Sequence, residues 1–382
     1  MQSGSFHTSA LTADVDLLEA ARAFFPDLTA TDGIPNHPNL LKVHTPGGLR
    51  RVHRWPEAAP QGDIAFSQDV MAMAREAGVT SIAARFALPA NPEAPALRLG
   101  RHWYDAQAWL PGAPPARAEV AWPGFKDQID IPLVLPSAVF SEVVAATARL
   151  HEATTALAAR RDVPAVPLAM LPGTVRQAQG RHLGAFRAQA RREPAIQRWL
   201  ATGERLLANA EPIILAATEA QELPSSVLHL GLWPAHVLMS DGTLTGLIGW
   251  ERVAAGSPLL DIAQAIIRLQ GWSDDAAEAA LATYGVVRPL SPEERRLLSA
   301  VAALDAVATT GRLLEQTFAV AETARPPTAL RAAIDMMLGS MSALDRNLLT
   351  LANVGKSKRT LWRRGPRTTA HRAGGKPRAQ RH

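Results

Sequence analysis

One segment, VLHLGLWPAHVLMSDGTLTGLIGW at residues 227–250, interrupts a half of the chain that is otherwise helical in pattern. An apolar run at 227–230 leads to Pro234. Two further apolar runs then flank Ser240-Asp241-Gly242, and these three residue types are typical of a tight turn. The segment therefore predicts a short strand and a β-hairpin embedded among helices.

Apolar residues recur at helical spacing on both sides of this hairpin. Ser291-Pro292-Glu293-Glu294 combines a Ser cap, a Pro in the first turn and a Glu three residues after the cap, which is the pattern of a capping box. The predicted helices of this half are 137–160, 174–191, 195–219, 258–271, 274–284, one that begins at 291, and 327–351.

The first 110 residues have a mixed pattern. Helices are predicted over 12–25 and 63–78, a hairpin over 40–55 around Thr45-Pro46-Gly47-Gly48, and a second strand pair over 96–112. A Pro-rich connector follows at 111–135. The sequence thus predicts an α+β fold with a β-rich N-lobe at 1–110 and a mainly helical C-lobe at 111–354 that carries the embedded hairpin.

The chain ends in a strongly basic segment. Residues 355–382 carry ten Lys or Arg and no Asp or Glu, whereas positions 1–354 hold 30 basic and 35 acidic residues. With only Leu361 and Trp362 as large apolar residues, this tail cannot offset the entropy of ordering, and we expect it to be disordered. Such a tail can bind an anionic partner, nucleic acid or phospholipid, through phosphate contacts; a solvated extension without function is the alternative.

Composition excludes several classes of protein. The chain has no cysteine, so disulfides and Cys-based metal sites are excluded. No apolar run approaches the roughly 18 residues of a transmembrane segment, and the N-terminus lacks the features of a secretory signal, so we expect a cytoplasmic protein. No P-loop, dinucleotide fingerprint or nucleophile elbow occurs.

The central segment resembles the core of the aminoglycoside phosphotransferase and choline-kinase-like family. That family's pattern is His-Gly-Asp, Leu-His-Pro-Gly-Asn, an apolar strand, a turn, Ile-Asp-Trp-Glu and a later buried Asp. Here His229, Pro234, Trp250, Glu251 and Asp261 fall at matching positions without a gap. The resemblance implies a bilobal protein-kinase-like fold, in which His229 is structural and Asp261 accepts backbone hydrogen bonds from the loop around 229–236.

The first half of the chain resembles the same family more loosely. Gly33 and Asn36 fall at the Gly and Asn of its nucleotide loop, and Arg54 falls where a phosphate-holding basic residue belongs. Trp109 opens the segment Trp-Leu-Pro-Gly, which is similar to the hinge between the lobes. The resemblance implies that these four residues bind the nucleotide, with packing between the lobes as the alternative for Trp109.

The chain departs from the family at its catalytic positions. Gly231 stands at the catalytic Asp, His236 at the metal-binding Asn and Gly249 at the Asp of Ile-Asp-Trp-Glu. Ser67 falls where a Glu should pair with the basic residue. Mg²⁺ prefers oxygen ligands, and an imidazole suits Zn²⁺ or Ni²⁺ better. Loss of the base alone removes a contribution of about 10²- to 10⁴-fold to the rate. We therefore predict that no family catalytic residue is intact.

The chain offers two routes by which catalysis could be retained. Glu251 lies two residues beyond the missing metal ligand and is a candidate substitute, whereas Asp241 sits in a predicted turn. His229, His236 and Glu251 form a known type of transition-metal ligand set, but their spacing is not a metal signature. The sequence therefore predicts no metal site.

The sequence favours a pseudo-phosphotransferase that acts as a binding or regulatory module for an unknown small molecule or protein. ATP or another nucleotide, bound without Mg²⁺, is the candidate ligand. One alternative is an active ATP-dependent small-molecule kinase with relocated acidic residues. The other is a nucleic-acid-associated protein that uses its basic tail.

Overall fold

The computed structural model describes residues 15–34, 37–115, 119–120, 129–160, 162–220, 223–318 and 326–363. The helices are α1 (Val15–Phe24), α2 (Gln61–Glu76), α3 (Ser137–Ala153), α4 (Thr155–Ala158), α5 (Leu171–Ala185), α6 (Pro194–Ala220), α7 (Leu259–Leu269), α8 (Asp274–Val287), α9 (Pro292–Phe318) and α10 (Thr328–Arg363). Short 3₁₀ turns lie at Leu168–Met170, Pro234–His236 and Trp250–Arg252.

The strands belong mainly to the N-lobe and to the embedded hairpin. They are β1 (Ala30–Gly33), β2 (Leu40–Thr45), β3 (Gly48–Arg54), β4 (Arg85–Phe86), β5 (Leu97–Leu99), β6 (His102–Ala108), β7 (Glu119–Val120), β8 (Ile129–Asp130), β9 (Ala165–Val166), β10 (Ser226–Leu228), β11 (Val237–Ser240), β12 (Thr243–Leu247) and β13 (Ala254–Gly256). This combination of an antiparallel N-lobe sheet and a helical C-lobe confirms the predicted α+β fold class.

The N-lobe sheet has the order β1-β2-β3-β6-β4, with β5 also paired to β6, and each of these pairs is antiparallel. Helix α1 covers one face, where Val52 of β3 is buried with Leu41 and Tyr104. Side chains alternate along a strand, so Arg51 and His53 lie on the opposite face, against Gln107 and Asp105 of β6. That second face looks toward the C-lobe.

The predicted hinge joins the two lobes through the embedded hairpin. Ala113 forms a β-bridge with Met239 of β11, and Thr245 of β12 donates its hydroxyl hydrogen to the Pro111 carbonyl at 2.6 Å. Gly112 has φ +91°, and a Cβ there would lie 2.4 Å from Thr245 Oγ1 and 2.6 Å from the Met239 oxygen. Only glycine fits this backbone against the hairpin.

The C-lobe core is built around α7 and α9. Every residue of α7 is buried, including Asp261 and Arg268. Helix α9 packs on α5, α6, α7 and α10. By length and composition α9 is the one described helix able to cross a membrane, yet 78% of its most apolar window is buried in the protein. That burial is what a core helix shows.

Several predicted boundaries differ from the structure, among them the helix over 174–191, which is α5 at Leu171–Ala185. The helix expected over 137–160 is broken at Thr154, whose hydroxyl donates to the Leu150 carbonyl at 2.7 Å and accepts from the Val227 amide at 3.2 Å. Helix α10 runs to Arg363, beyond the predicted start of disorder at 355, because extending a formed helix costs little. Residues 364–382 lie outside the described part of the chain, so the anionic partner of the tail stays a prediction.

Candidate functional site

The loop that follows β10 is held by one carboxylate. Asp261, near the start of α7, accepts the backbone N–H of His229 at 2.6 Å and that of Leu230 at 2.9 Å. These bonds hold Leu230 at φ +55°, an uncommon conformation for a residue with a side chain. The loop then closes through the 3₁₀ turn Pro234–His236.

His229 is locked in one tautomer. Its Nδ1 accepts the Gly231 N–H at 3.2 Å, so Nε2 carries the hydrogen and donates to the Ile248 carbonyl at 3.1 Å. Burial lowers the pKa of His229 to about 4, so the ring is neutral at neutral pH. Both ring nitrogens of His229 are therefore engaged inside the loop.

A buried polar chain leads away from Asp261 into the C-lobe. His151 donates from Nε2 to Asp261 at 3.1 Å and accepts at Nδ1 from the Tyr284 hydroxyl at 2.8 Å. Arg288 donates to the Tyr284 oxygen at 3.0 Å and lies 3.6 Å from Glu294. Although burial acts in the opposite direction, the hydrogen bond from His151 and the neighbouring donors keep the pKa of Asp261 below its ordinary value. Asp261 is therefore ionised, and its oxygens accept from two loop amides and from His151.

The predicted degenerate positions Gly231, His236 and Gly249 come together at one point. His236 donates from Nδ1 to the Gly231 carbonyl oxygen at 2.6 Å. Gly249 has φ +85°, and a Cβ at this position would lie 2.5 Å from Nδ1 of His236 and 2.6 Å from its Cε1. The imidazole of His236 thus occupies the space that a side chain at position 249 would fill.

Position 231 has more room. A Cβ on Gly231 would lie 3.3 Å from the Gly249 oxygen and 3.3 Å from the His229 ring, which is a close contact but not a collision. The Gly231 carbonyl accepts a second hydrogen bond, from the Trp233 N–H at 2.8 Å. The carbonyl of this residue is therefore fully used by the loop itself.

These residues do not fit Mg²⁺. The ion needs oxygen ligands, usually one or two carboxylates, whereas the three family positions supply two glycines and an imidazole whose Nδ1 is already bonded. No group of three or more His, Asp or Glu able to hold a metal occurs in the part of the chain that the structure describes. Glu251 and Asp130 bring carboxylates to the cleft, whereas Asp241 sits at the exposed hairpin tip with φ +50°.

Glu251 belongs to a polar network that crosses between the lobes. His53 of β3 lies with Nδ1 3.4 Å from Asp105 Oδ1 and with Nε2 3.7 Å from Glu251 Oε1. Asp105 is buried and also accepts from Trp55 Nε1 at 3.1 Å and from Gln107 Nε2 at 2.6 Å. Although desolvation in the cleft opposes it, the neighbouring His53, a backbone hydrogen bond and Arg51 hold the pKa of Glu251 below its ordinary value. Glu251 is therefore ionised at neutral pH.

This network adds His53, which the sequence analysis does not select as a site residue. A signal was present. Arg51 and His53 alternate with Val52 on β3, and Asp105 and Gln107 alternate with Tyr104 and Ala106 on β6. Polar alternation on both paired strands indicates a polar inner face. The contact with Glu251 is far along the chain and leaves no such signal.

The residues above open into a cleft of about 310 Å³ between the lobes. The lining side chains that carry or can carry charge are His53, Arg54, Asp130, His236, Glu251, Arg252 and Arg312. Sequence reasoning found His236, Glu251 and Arg54 but missed Arg252, Arg312 and Asp130, which lie on separate elements. The cleft therefore carries three guanidinium groups against two carboxylates.

The remaining predicted residues are placed as follows. Arg54 lines the cleft, and its guanidinium donates to Asn39 Oδ1 at 3.0 and 2.8 Å. Ser67 is buried, and its hydroxyl donates to the Trp250 carbonyl at 2.9 Å. Gly33 ends β1, Trp109 lies under the Lys42 ammonium at 5.2 Å, and Asn36 falls outside the described residues.

The fold and this loop define a phosphotransferase-type, kinase-like protein. The family model of the "phosphotransferase enzyme family" matches residues 38–298, which is more than half of the chain. The chain belongs to the phosphotransferase enzyme family. No curated protein matches it.

Solved structures show the same fold. The aminoglycoside phosphotransferase of Alicyclobacillus acidocaldarius is similar at 16% identity, covering 92% of this chain and 98% of that one, with a TM-score of 0.57. A microcompartment-associated aminopropanol kinase is similar at 14% identity, with 88% and 98% coverage and a TM-score of 0.54. A spectinomycin phosphotransferase in complex with ADP and spectinomycin is similar at 9% identity, with 86% and 98% coverage and a TM-score of 0.52.

Proposed function

We propose that this chain is a pseudo-phosphotransferase, a member of the family that binds a small molecule in its cleft but does not transfer phosphate with Mg²⁺. One observation carries the proposal: the His236 ring fills the space of a side chain at position 249, held there by its 2.6 Å bond to the Gly231 carbonyl. The carboxylate that would hold the metal is absent, and its place is taken.

Phosphoryl transfer also requires a catalytic base or orienting group, and position 231, where the family has an Asp, does not supply one. Transfer needs a group that orients the attacking hydroxyl, and Gly231 has no side chain to do so. The cleft itself remains, with a volume of about 310 Å³ between the lobes. ATP or another nucleotide, bound without Mg²⁺, is the proposed ligand class.

The test is thermal unfolding of the full chain with ATP, in EDTA and in Mg²⁺. A ligand at 100 times its Kd adds about 2.7 kcal/mol to the free energy of unfolding, which for a chain of this size raises the midpoint by about 4 °C. We expect the same shift in EDTA and in Mg²⁺. A shift that appears only with Mg²⁺ contradicts the proposal.

A second candidate, an active kinase with a relocated acid, is favoured by one observation: Glu251 lines the cleft and is ionised. It predicts Mg²⁺-dependent release of ADP from ATP that Glu251→Ala abolishes. Asp241→Ala is the matched control, because that carboxylate is exposed at the hairpin tip. ADP release that survives in Asp241→Ala and is lost in Glu251→Ala establishes this candidate and refutes the first.

A further inference from the structure

The segment 245–251, which comprises the end of β12 and the start of the 3₁₀ turn after it, contacts the hinge and the N-lobe at four successive points. At its start, the Thr245 hydroxyl donates to the Pro111 carbonyl of the hinge at 2.6 Å. Next, the Leu247 N–H donates to the Ser81 carbonyl at 2.7 Å, and Ser81 lies between α2 and β4. The hairpin of the C-lobe is therefore bonded first to the hinge and then to the backbone of the N-lobe.

The second half of the segment contacts two other N-lobe elements through side chains. Ser67 of α2 is buried and donates its hydroxyl hydrogen to the Trp250 carbonyl at 2.9 Å. Glu251 Oε1 lies 3.7 Å from Nε2 of His53 on β3, and Nδ1 of the same ring lies 3.4 Å from Asp105. Two consecutive residues of one turn therefore connect the C-lobe to α2 and to the N-lobe sheet.

The residues on either side of these contacts are held in place by their own lobe. In the C-lobe, Trp250 is buried, donates from Nε1 to the Leu247 carbonyl at 2.8 Å and packs edge-on against the His229 ring, with centroids 4.4 Å apart. In the N-lobe, Asp105 is buried and accepts from Trp55 Nε1 at 3.1 Å. Because packed elements of this kind do not deform gradually, we expect the contacts between them to be made or broken together.

These contacts lie at the cleft. His53 and Glu251 line it from opposite lobes, beside Gly249 and His236. A rotation of the lobes about the hinge would separate His53 from Glu251, whereas the Thr245 contact lies at the hinge itself and would stay in place. The state of the contacts at 250 and 251 therefore determines how wide the cleft is.

We infer that the 3₁₀ turn Trp250–Arg252 is a latch between the lobes, which holds the cleft closed through its contacts with Ser67 and His53 and lets the lobes open when these contacts break. The inference goes beyond the proposed function, because it concerns access to the cleft whatever the cleft binds. Opening also breaks the bond from Leu247 to Ser81, which crosses between the lobes. Exchange of the Leu247 amide hydrogen with solvent therefore reports the opening.

The experiment measures hydrogen exchange of the Leu247 amide in the full chain without ligand, with buried amides of α9 as the reference for global unfolding. The latch variants are Ser67→Ala, His53→Gln and the double variant. Losing a hydrogen bond changes an equilibrium by a factor of about 2 to 10, so each single variant should accelerate exchange at Leu247 by about that factor. The double variant should accelerate it by about the product of the two factors, because opening breaks both contacts.

Two matched controls make the same substitutions away from the latch. Ser226→Ala changes a buried serine whose hydroxyl has no hydrogen-bond partner in the described part of the chain. His44→Gln breaks a contact of 2.7 Å with Asp32 that lies within the N-lobe and is not broken when the lobes separate. Neither control should accelerate exchange at Leu247. Circular dichroism checks that each variant is folded, and the single variants decide the question if the double variant is not.

Each outcome decides the inference. It is supported if Leu247 exchanges faster than the α9 amides in wild type and faster still in the latch variants, but not in the controls. It is overturned if exchange at Leu247 is the same in the latch variants as in wild type, or if the controls accelerate it equally. It is overturned also if Leu247 exchanges as slowly as the α9 amides in wild type, because the lobes then separate only on global unfolding. Since no ligand is present, failure of ATP to bind refutes the proposed function and leaves this inference unaffected.

Discussion

The coupling between Gly249 and His236 can be measured as a free energy. The variants are Gly249→Ala, His236→Ala and the double variant. Alanine adds a single Cβ at 249, which would lie 2.5 Å from His236 Nδ1 and 2.8 Å from its Cγ. His236→Ala removes those ring atoms, so the double variant has no collision.

The expected costs follow from the structure. Gly249→Ala places a side chain at φ +85°, which costs about 1–2 kcal/mol, and overpacks the site, which costs about 1–3 kcal/mol more. His236→Ala loses the bond to the Gly231 carbonyl and the packing of the ring, about 1–2 kcal/mol together. The double variant keeps the backbone cost and the loss of the ring, but not the overpacking.

The double variant should therefore be more stable than the sum of the single effects by about 1–3 kcal/mol. Equilibrium unfolding in denaturant measures all four free energies, and unchanged slopes show that the unfolded state is comparable. The reasoning is refuted if the effects add to within about 0.5 kcal/mol, because independent sites behave in that way. It is refuted equally if Gly249→Ala is as stable as wild type.

Three further results are expected from the same kind of measurement. His229 has a pKa of about 4 in the folded state against 6.5 for an ordinary His, so between pH 6.5 and 4 only the unfolded state gains the proton. As pH falls through this range, the free energy of unfolding of wild type should therefore decrease by up to about 3 kcal/mol more than that of His229→Gln. Parallel pH profiles of the two proteins would contradict this. Asp261→Asn places an amide nitrogen against donors from His151 and the loop, and should lower the free energy of unfolding in urea by about 3 kcal/mol. The exposed control Asp162→Asn should change it by less than about 1 kcal/mol. Equal effects would show that Asp261 does not hold the loop. Gly112→Ala should lower the unfolding midpoint more than Gly100→Ala. Both glycines have positive φ, but only a Cβ at 112 would collide with the hairpin, 2.4 Å from Thr245 Oγ1. Equal midpoints would show that the backbone at 112 shifts to accept a side chain.

Local chemistry explains which parts of this fold were predictable. The turn Ser240-Asp241-Gly242 and the capping box at Ser291 and Glu294 are both present, the latter with reciprocal bonds of 2.8 and 3.1 Å. Both depend on residues within a few positions of one another. The break at Thr154 was not predictable in this way, because it depends on the amide of Val227, 73 positions away.

The same distinction applies to the cleft. The spacing of the central segment identified His236, Gly249 and Glu251, since they follow one another on a single loop and hairpin. Arg312 and Asp130 reach the cleft only through the packing of α9 and β8, and nothing in their neighbouring residues marks them. His53 is partly predictable. The alternation of polar residues along β3 places it on the inner face of the sheet, but does not indicate that Glu251 lies opposite.

In sequence, the three substitutions at 231, 236 and 249 look like separate losses, yet the structure makes two of them one steric unit. An aspartate placed at 249 alone would collide with the His236 ring. An asparagine placed at 236 alone would still face Gly249, which has no side-chain oxygen for a metal ion. Position 231 differs, because a Cβ fits there at 3.3 Å. A base at 231 is therefore sterically accessible by one substitution, whereas the metal site requires at least two made together. Under the proposed function, the metal site is therefore harder to rebuild than the base, because it requires two changes made together.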